Sequence, residues 1–166
     1  RQMCIRDRYI LLSFSLGLNM KRPNIVFVFA DQLRYQSCGF SGDSNAITPN
    51  LDKFAEESMN LTQAVSSMPV CSAFRASLLT GKYTTSTGMV INELRMNTNH
   101  KSIAHCLTEA GYDTGYIGKW HLYANKLGNH ENVNNSHIPV GANRLGFDGY
   151  WACLLYTSDA ADEVDS

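Results

Sequence analysis

The spacing of hydrophobic and polar positions changes several times along the chain, and each change marks an element. Asn24 to Ala30 reads NIVFVFA, a continuous β-branched and aromatic run with no polar alternation. A strand with one face in water alternates, so an unbroken run predicts a strand covered on both faces, central in a parallel sheet. Thr48-Pro49-Asn50 has the form of a helix start, with Thr48 as N-cap and Pro49 at the first position. Leu51, Phe54, Ala55 and Met59 then fall on one helical face, and a second strand is predicted over Leu61 to Val65. Ser72 to Thr80 carries Ala73, Ala76, Leu78 and Leu79 and closes with Gly81, which predicts a short helix with Cys71 at its amino end.

Ser102 can cap another helix, with Ile103, Cys106, Leu107 and Ala110 inward and Gly111 as terminator. Asp113 to Gly118 reads as the strand that follows. Strands and helices alternate, which predicts an α/β fold with a mostly parallel central sheet flanked by helices. From Leu122 to Asn143 the chain is rich in Asn, Gly and His with weak periodicity, and is read as an irregular insertion on a functional rim.

Composition narrows the function. A chain of 166 residues with 44% hydrophobic content suffices for one globular unit and its core. Lys plus Arg number 14 against 15 Asp plus Glu, so no basic field exists to hold nucleic acid. Five cysteines without C-x-x-C spacing argue against a disulfide framework or a zinc site. No apolar run reaches the length that spans a bilayer, but Tyr9 to Leu18 matches the apolar part of a secretory signal in length. No clear small-residue cleavage site follows it, so localisation stays open, with periplasmic or secreted placement favoured over cytoplasmic.

The two ends look foreign. Met3-Cys4-Ile5-Arg6-Asp7 and Cys153-Leu154-Leu155-Tyr156-Thr157 can be encoded by the same DNA read in opposite orientations. Such a pair is similar to the inverted adapter ends left by transposon-based library preparation. The expected organisation is an adapter-derived tail over 1–8, a leader or translated upstream stretch over 9–20, a catalytic portion over 21–152 and a second adapter-derived tail over 153–166.

Asp31 and Gln32 follow directly on the apolar strand, at the end where α/β sheets place ligands. A carboxylate and an amide oxygen are suitable ligands for a hard cation; the simpler reading is that Asp31 caps the next turn. Cys71-Ser72-Ala73-Phe74-Arg75, continuing Ala76-Ser77-Leu78-Leu79-Thr80-Gly81, is the most specific segment. It resembles the signature C-x-[P/A]-x-R followed by A-S-L-L-T-G of the type I sulfatases, whose cysteine is oxidised after translation to formylglycine. Gly118-Lys119-Trp120-His121 resembles the family's G-K-W-H segment, and Thr48 to Asp52 and Glu109 to Thr114 resemble further family elements in the same order.

The resemblance implies the amino-terminal part of an alkaline-phosphatase-like α/β fold and a sulfuric ester hydrolase. A serine that attacked a sulfate ester would be left holding a stable ester, whereas a hydrated aldehyde keeps a second hydroxyl whose deprotonation expels sulfate. By the same resemblance Cys71 supplies the nucleophile and Arg75 holds it. Lys119 contacts the sulfate oxygens, and His121 takes the proton that triggers release. Asp31, Gln32 and the modified Cys71 would face a divalent cation, calcium in first place with magnesium or manganese as alternatives. The implied partners are a formylglycine-generating or sulfatase-maturing enzyme and a sulfated small molecule or carbohydrate.

Two departures stand out. Gln32 occupies a position where many members carry a second Asp, which resembles subgroups that include phosphonate and phosphate ester hydrolases, and Ala73 replaces the commoner proline. The family's further metal pair, His and Lys come from downstream sequence and have no counterpart before Ala152, so this polypeptide alone is expected to lack sulfatase activity. The competing expectations are a phosphonate or phosphodiester hydrolase and a non-catalytic fragment. His100, His105, His130 and His137, and the Asn60 and Asn134 glycosylation patterns, are given no role.

Overall fold

A computed structural model of the chain describes residues 22–124 and 138–152. The two expected adapter tails, the leader and most of the expected insertion, with His130, His137 and Asn134, lie outside the described residues. Among these residues four α-helices follow in order: α1 (Pro49–Glu56), α2 (Cys71–Thr80), α3 (Thr84–Thr87) and α4 (Ile103–Glu109). Strands β1 (Gly115–Ile117) and β2 (Tyr150–Ala152) pair in parallel, with Tyr116 opposite Trp151.

Helix α2 packs on α3 and α4. Its Ala73 and Ala76 are fully buried, since small residues on one stripe let neighbouring backbone approach closely. Gly81 ends the helix in the left-handed region at φ 65°, a conformation that glycine adopts without a Cβ penalty. Beyond α2 the core is aromatic. Trp120 is fully buried, edge-on to Tyr116 at 4.9 Å, and also meets Phe147 and Trp151. This cage fixes the loop after β1.

Ser102 caps α4 as its sequence predicts. Its hydroxyl accepts from Ala104 N at 3.1 Å and His105 N at 3.4 Å, while His105 Nδ1 accepts from Ser102 N at 3.1 Å. The same hydroxyl donates to the Leu145 carbonyl, tying the helix start to the segment that leads into β2. Ser102→Ala removes both contacts and is expected to destabilise the fold by about 1–2 kcal/mol, read as a lowered midpoint in urea unfolding.

Several expectations are corrected. Asn24 to Ala30 is no strand of the ladder, and Val26 is 82% exposed. Among the described residues the sheet has only two strands, and an apolar run can be covered on both faces only where a sheet holds it. The run instead borders an apolar cleft of about 310 Å³, shared with Leu78, Ile103, Leu107 and β1. Leu61 to Val65 forms a turn, closed by Ala64 N donating to Leu61 O at 3.2 Å.

Thr48 occupies the N-cap position of α1 and Pro49 its first turn, as the sequence predicts, but the Thr48 side chain makes no capping bond. Its hydroxyl donates to Asp52 Oδ1 and accepts from Gly39 N, each at 2.8 Å, so the carboxylate draws it away from the helix N–H groups. The apolar face expected of that helix is open, with Phe54 67% exposed, and Met59 lies past the helix end. In α4 the buried side chain is Ala104; Ile103, Cys106 and Ala110 are exposed because the inner side is set by contact with α2 and the Leu145–Phe147 segment. The strand expected over Asp113 to Gly118 is confined to β1.

Candidate active site

The apolar run ends at Asp31, helix α2 begins at Cys71, and β1 is followed within two residues by Lys119. The fold brings these three points together. Lys119 Nζ stands 3.0 Å from Asp31 Oδ2, and Arg75 Nη2 stands 3.3 Å from the same oxygen. Cys71 Sγ is 3.8 Å from Asp31 Oδ1 and 3.8 Å from Lys119 Nζ. The Arg75 and Lys119 side chains are almost wholly buried while Asp31 is 36% exposed, so the cationic groups are fixed and the carboxylate faces the opening.

Burial raises the Asp31 carboxyl, but the hydrogen bond and charge of Lys119, and then those of Arg75, outweigh it and hold the group below its ordinary value. The Asp31 carboxylate is thus ionised at neutral pH. Its contribution to stability is present above the ordinary carboxylate range and is lost as pH falls through the lowered value.

Arg75 sits one turn into α2, and its guanidinium is surrounded. Nη1 donates to Tyr116 Oη at 3.1 Å and to the Lys119 carbonyl, and the Phe29 ring centroid lies 5.1 Å from Cζ. A buried guanidinium needs such partners, since an unmade hydrogen bond to a charged group is expensive. Cys71 occupies the first position of α2, where helix N–H groups and the macrodipole favour an anion. Ser72 N donates to Asn92 Oδ1 at 3.0 Å, and Ser72 Oγ donates to the His121 carbonyl at 2.5 Å.

His121 has a φ of 50°, a left-handed conformation that costs a non-glycine residue on the order of 1 kcal/mol. Its carbonyl is held by Ser72, and Met96 N donates to the next carbonyl, Leu122 O, at 2.9 Å. Gln32 lines a cleft of about 550 Å³ with Asp31, Cys71, Arg75 and Asn92. Asp31, Cys71, Arg75 and Lys119 therefore form one contact network; Gln32 borders it, and His121 is tied to it through main chain. Phe29, Asn92 and Tyr116 belong to the same network and were not singled out from sequence. Nothing in their local pattern distinguishes them from core or turn residues.

A divalent cation does not fit the described residues by themselves. Among them no three His, Cys, Asp or Glu side chains converge, and the Asp31 carboxylate is already engaged by two cationic side chains.

Residues 23–164 match the family model described as Sulfatase. The chain is 42% identical over 138 residues to the ulvan-active sulfatase of Formosa agariphila, covering 83% of this chain and 25% of that protein. It is 35% identical over 137 residues to the N-acetylgalactosamine-6-O-sulfatase of Bacteroides thetaiotaomicron, covering 80% of this chain and 26% of that protein. The crystal structure of a sulfatase from Bacteroides fragilis superposes with a TM-score of 0.62 at 35% identity, over 80% of this chain and 32% of that one. The chain spans about a quarter of the length of these curated relatives. With the family model matched over most of its length and the α/β, alkaline-phosphatase-like architecture shared with a solved sulfatase, this chain belongs to the sulfatase family.

Proposed function

We propose that this chain carries the nucleophile side of a sulfuric ester hydrolase that acts on sulfated carbohydrate, with Cys71 converted to formylglycine. The observation that supports the reading best is the meeting of Cys71, Asp31, Arg75 and Lys119 at the amino end of α2, beside an open cleft that the first three of them line. When Cys71 carries the aldehyde, its hydrate supplies an oxygen nucleophile together with a second hydroxyl through which sulfate can be released. Lys119 and Arg75 bring two positive charges, and Asp31 returns one negative charge. The net field favours an anionic sulfuryl group, most strongly as charge builds on its oxygens. His121, two residues beyond Lys119, is the proposed proton carrier.

The cation is proposed only as a requirement of the complete site, with donors beyond the described residues; no step is assigned to it. Residues 1–166 by themselves are proposed not to turn over sulfate esters. The relatives named for ulvan and for N-acetylgalactosamine 6-O-sulfate support the carbohydrate class. A maturing enzyme acting on Cys71 and a periplasmic or secreted location complete the proposal.

Mass spectrometry of the Cys71 peptide from the full-length polypeptide in its host, with assays on carbohydrate and aryl sulfates, tests it. The expected result is an aldehyde at Cys71 and sulfate release. Unmodified cysteine and no turnover would refute the reading. Gln32 in the cleft favours one alternative, a phosphonate or phosphodiester hydrolase, because it leaves one fewer negative charge beside Asp31. Parallel assays on those esters separate the two.

A further inference from the structure

Tyr116 occupies the middle of β1, opposite Trp151 of β2. Its ring is held on three sides: stacked on Trp151 at 5.4 Å, and edge-on to Trp120 at 4.9 Å and to Phe147 at 5.5 Å. The hydroxyl of this fixed ring lies outside the apolar cage. It donates to the Lys119 carbonyl and accepts from Arg75 Nη1 at 3.1 Å, and the same Nη1 donates to the same carbonyl. Phenol, guanidinium and peptide oxygen thus close a triangle.

The consequence for the cleft follows from hydrogen-bond capacity. Nη1 has two hydrogens, both committed to the triangle, which leaves Nη2 as the nitrogen directed at Asp31 Oδ2, at 3.3 Å. An arginine is planar, so fixing one nitrogen fixes the other. The carbonyl end of the triangle belongs to Lys119, whose ammonium contacts the same Asp31 oxygen. One phenol therefore sets both cationic groups of the site, through the guanidinium plane and through the main chain that carries the lysine. We infer that Tyr116 is a positioning residue for the sulfuryl-binding charges, transmitting the rigidity of the aromatic cage to Arg75 and Lys119 without itself touching the substrate.

This inference rests on the sulfuric ester reading of the cleft, so it is tested with two measurements that fail separately. Tyr116→Phe keeps the ring and its packing and deletes only the hydroxyl. In the full-length polypeptide carrying this chain, kcat for an aryl sulfate is expected to fall about tenfold, with KM changed less than about twofold. Misplaced charges lose most where charge develops. An unchanged kcat, or a loss confined to KM, overturns the role.

The second measurement needs no turnover. In nitrogen NMR of the same protein, rotation of the Arg75 guanidinium about its Cζ–N bonds is expected to be at least about tenfold faster in Tyr116→Phe than in wild type, because one bond to a charged group is gone. Equal rotation rates overturn the inference whether or not the protein hydrolyses sulfate esters. Faster rotation in a protein that hydrolyses none upholds the Tyr116–Arg75 link and sinks the sulfatase reading instead.

Discussion

Replacing Cys71 by alanine in the full-length polypeptide is expected to lower sulfate ester turnover by on the order of 10⁴-fold or more, the loss seen when a covalent nucleophile is removed. The thiol is only partly buried, and its two polar contacts are long, at 3.8 Å each. The variant should therefore unfold within about 0.5 kcal/mol of wild type in urea, as partly exposed substitutions do. Cys71→Ser gives the sharper test. Serine presents an oxygen in the same place, facing Lys119 and Asp31, but has no second hydroxyl. A single burst of product followed by arrest is expected, against continuous turnover in wild type. Sustained turnover by the serine variant would show that formylglycine is not what the site uses.

The second large effect is expected at Arg75. Its guanidinium serves four partners at once: the Asp31 carboxylate, Tyr116 Oη, the Lys119 carbonyl and the Phe29 face. Arg75→Lys keeps the charge, yet a single ammonium cannot reach the carboxylate, the phenol and the carbonyl together. The change should destabilise the fold by about 1–3 kcal/mol, because buried acceptors lose a charged donor. It should also lower kcat by about 10²-fold or more, since one of the two cationic groups at the cleft is displaced. Urea unfolding and steady-state kinetics on the same preparations separate the two effects. A stable variant of near-normal kcat would remove Arg75 from the site.

These predictions concern residues that the sequence made visible in different degrees. Cys71 to Gly81 was legible because its information is local: a helix of small and apolar residues, closed by a glycine in the left-handed region, with the cysteine at its start. Ser102 was legible for the same reason, since a cap is made with the next turn of the same chain. The expectation for Asn24 to Ala30 went the other way. Its unbroken apolar pattern reports what a strand would need and not which strands are there to pair with it. The Ile103 face of α4 was misjudged because several faces of a short helix carry apolar residues, and only the neighbours choose among them.

Asn92 and Tyr116 show the limit most clearly. An asparagine in a turn and a tyrosine in a strand are common, and their bonds to Ser72 N and to Arg75 are made across long sequence separations. The sequence by itself determined the chemical parts: a cysteine at a helix start, an arginine one turn on, a lysine after a strand and a carboxylate after an apolar run. Only the tertiary structure decided that Lys119 and Arg75 share one oxygen of Asp31, and that a tyrosine anchored in an aromatic cage holds the arginine. Local pattern encodes conformation and the need for burial, whereas distances of about 3 Å between segments far apart in the chain arise only when packing brings them together.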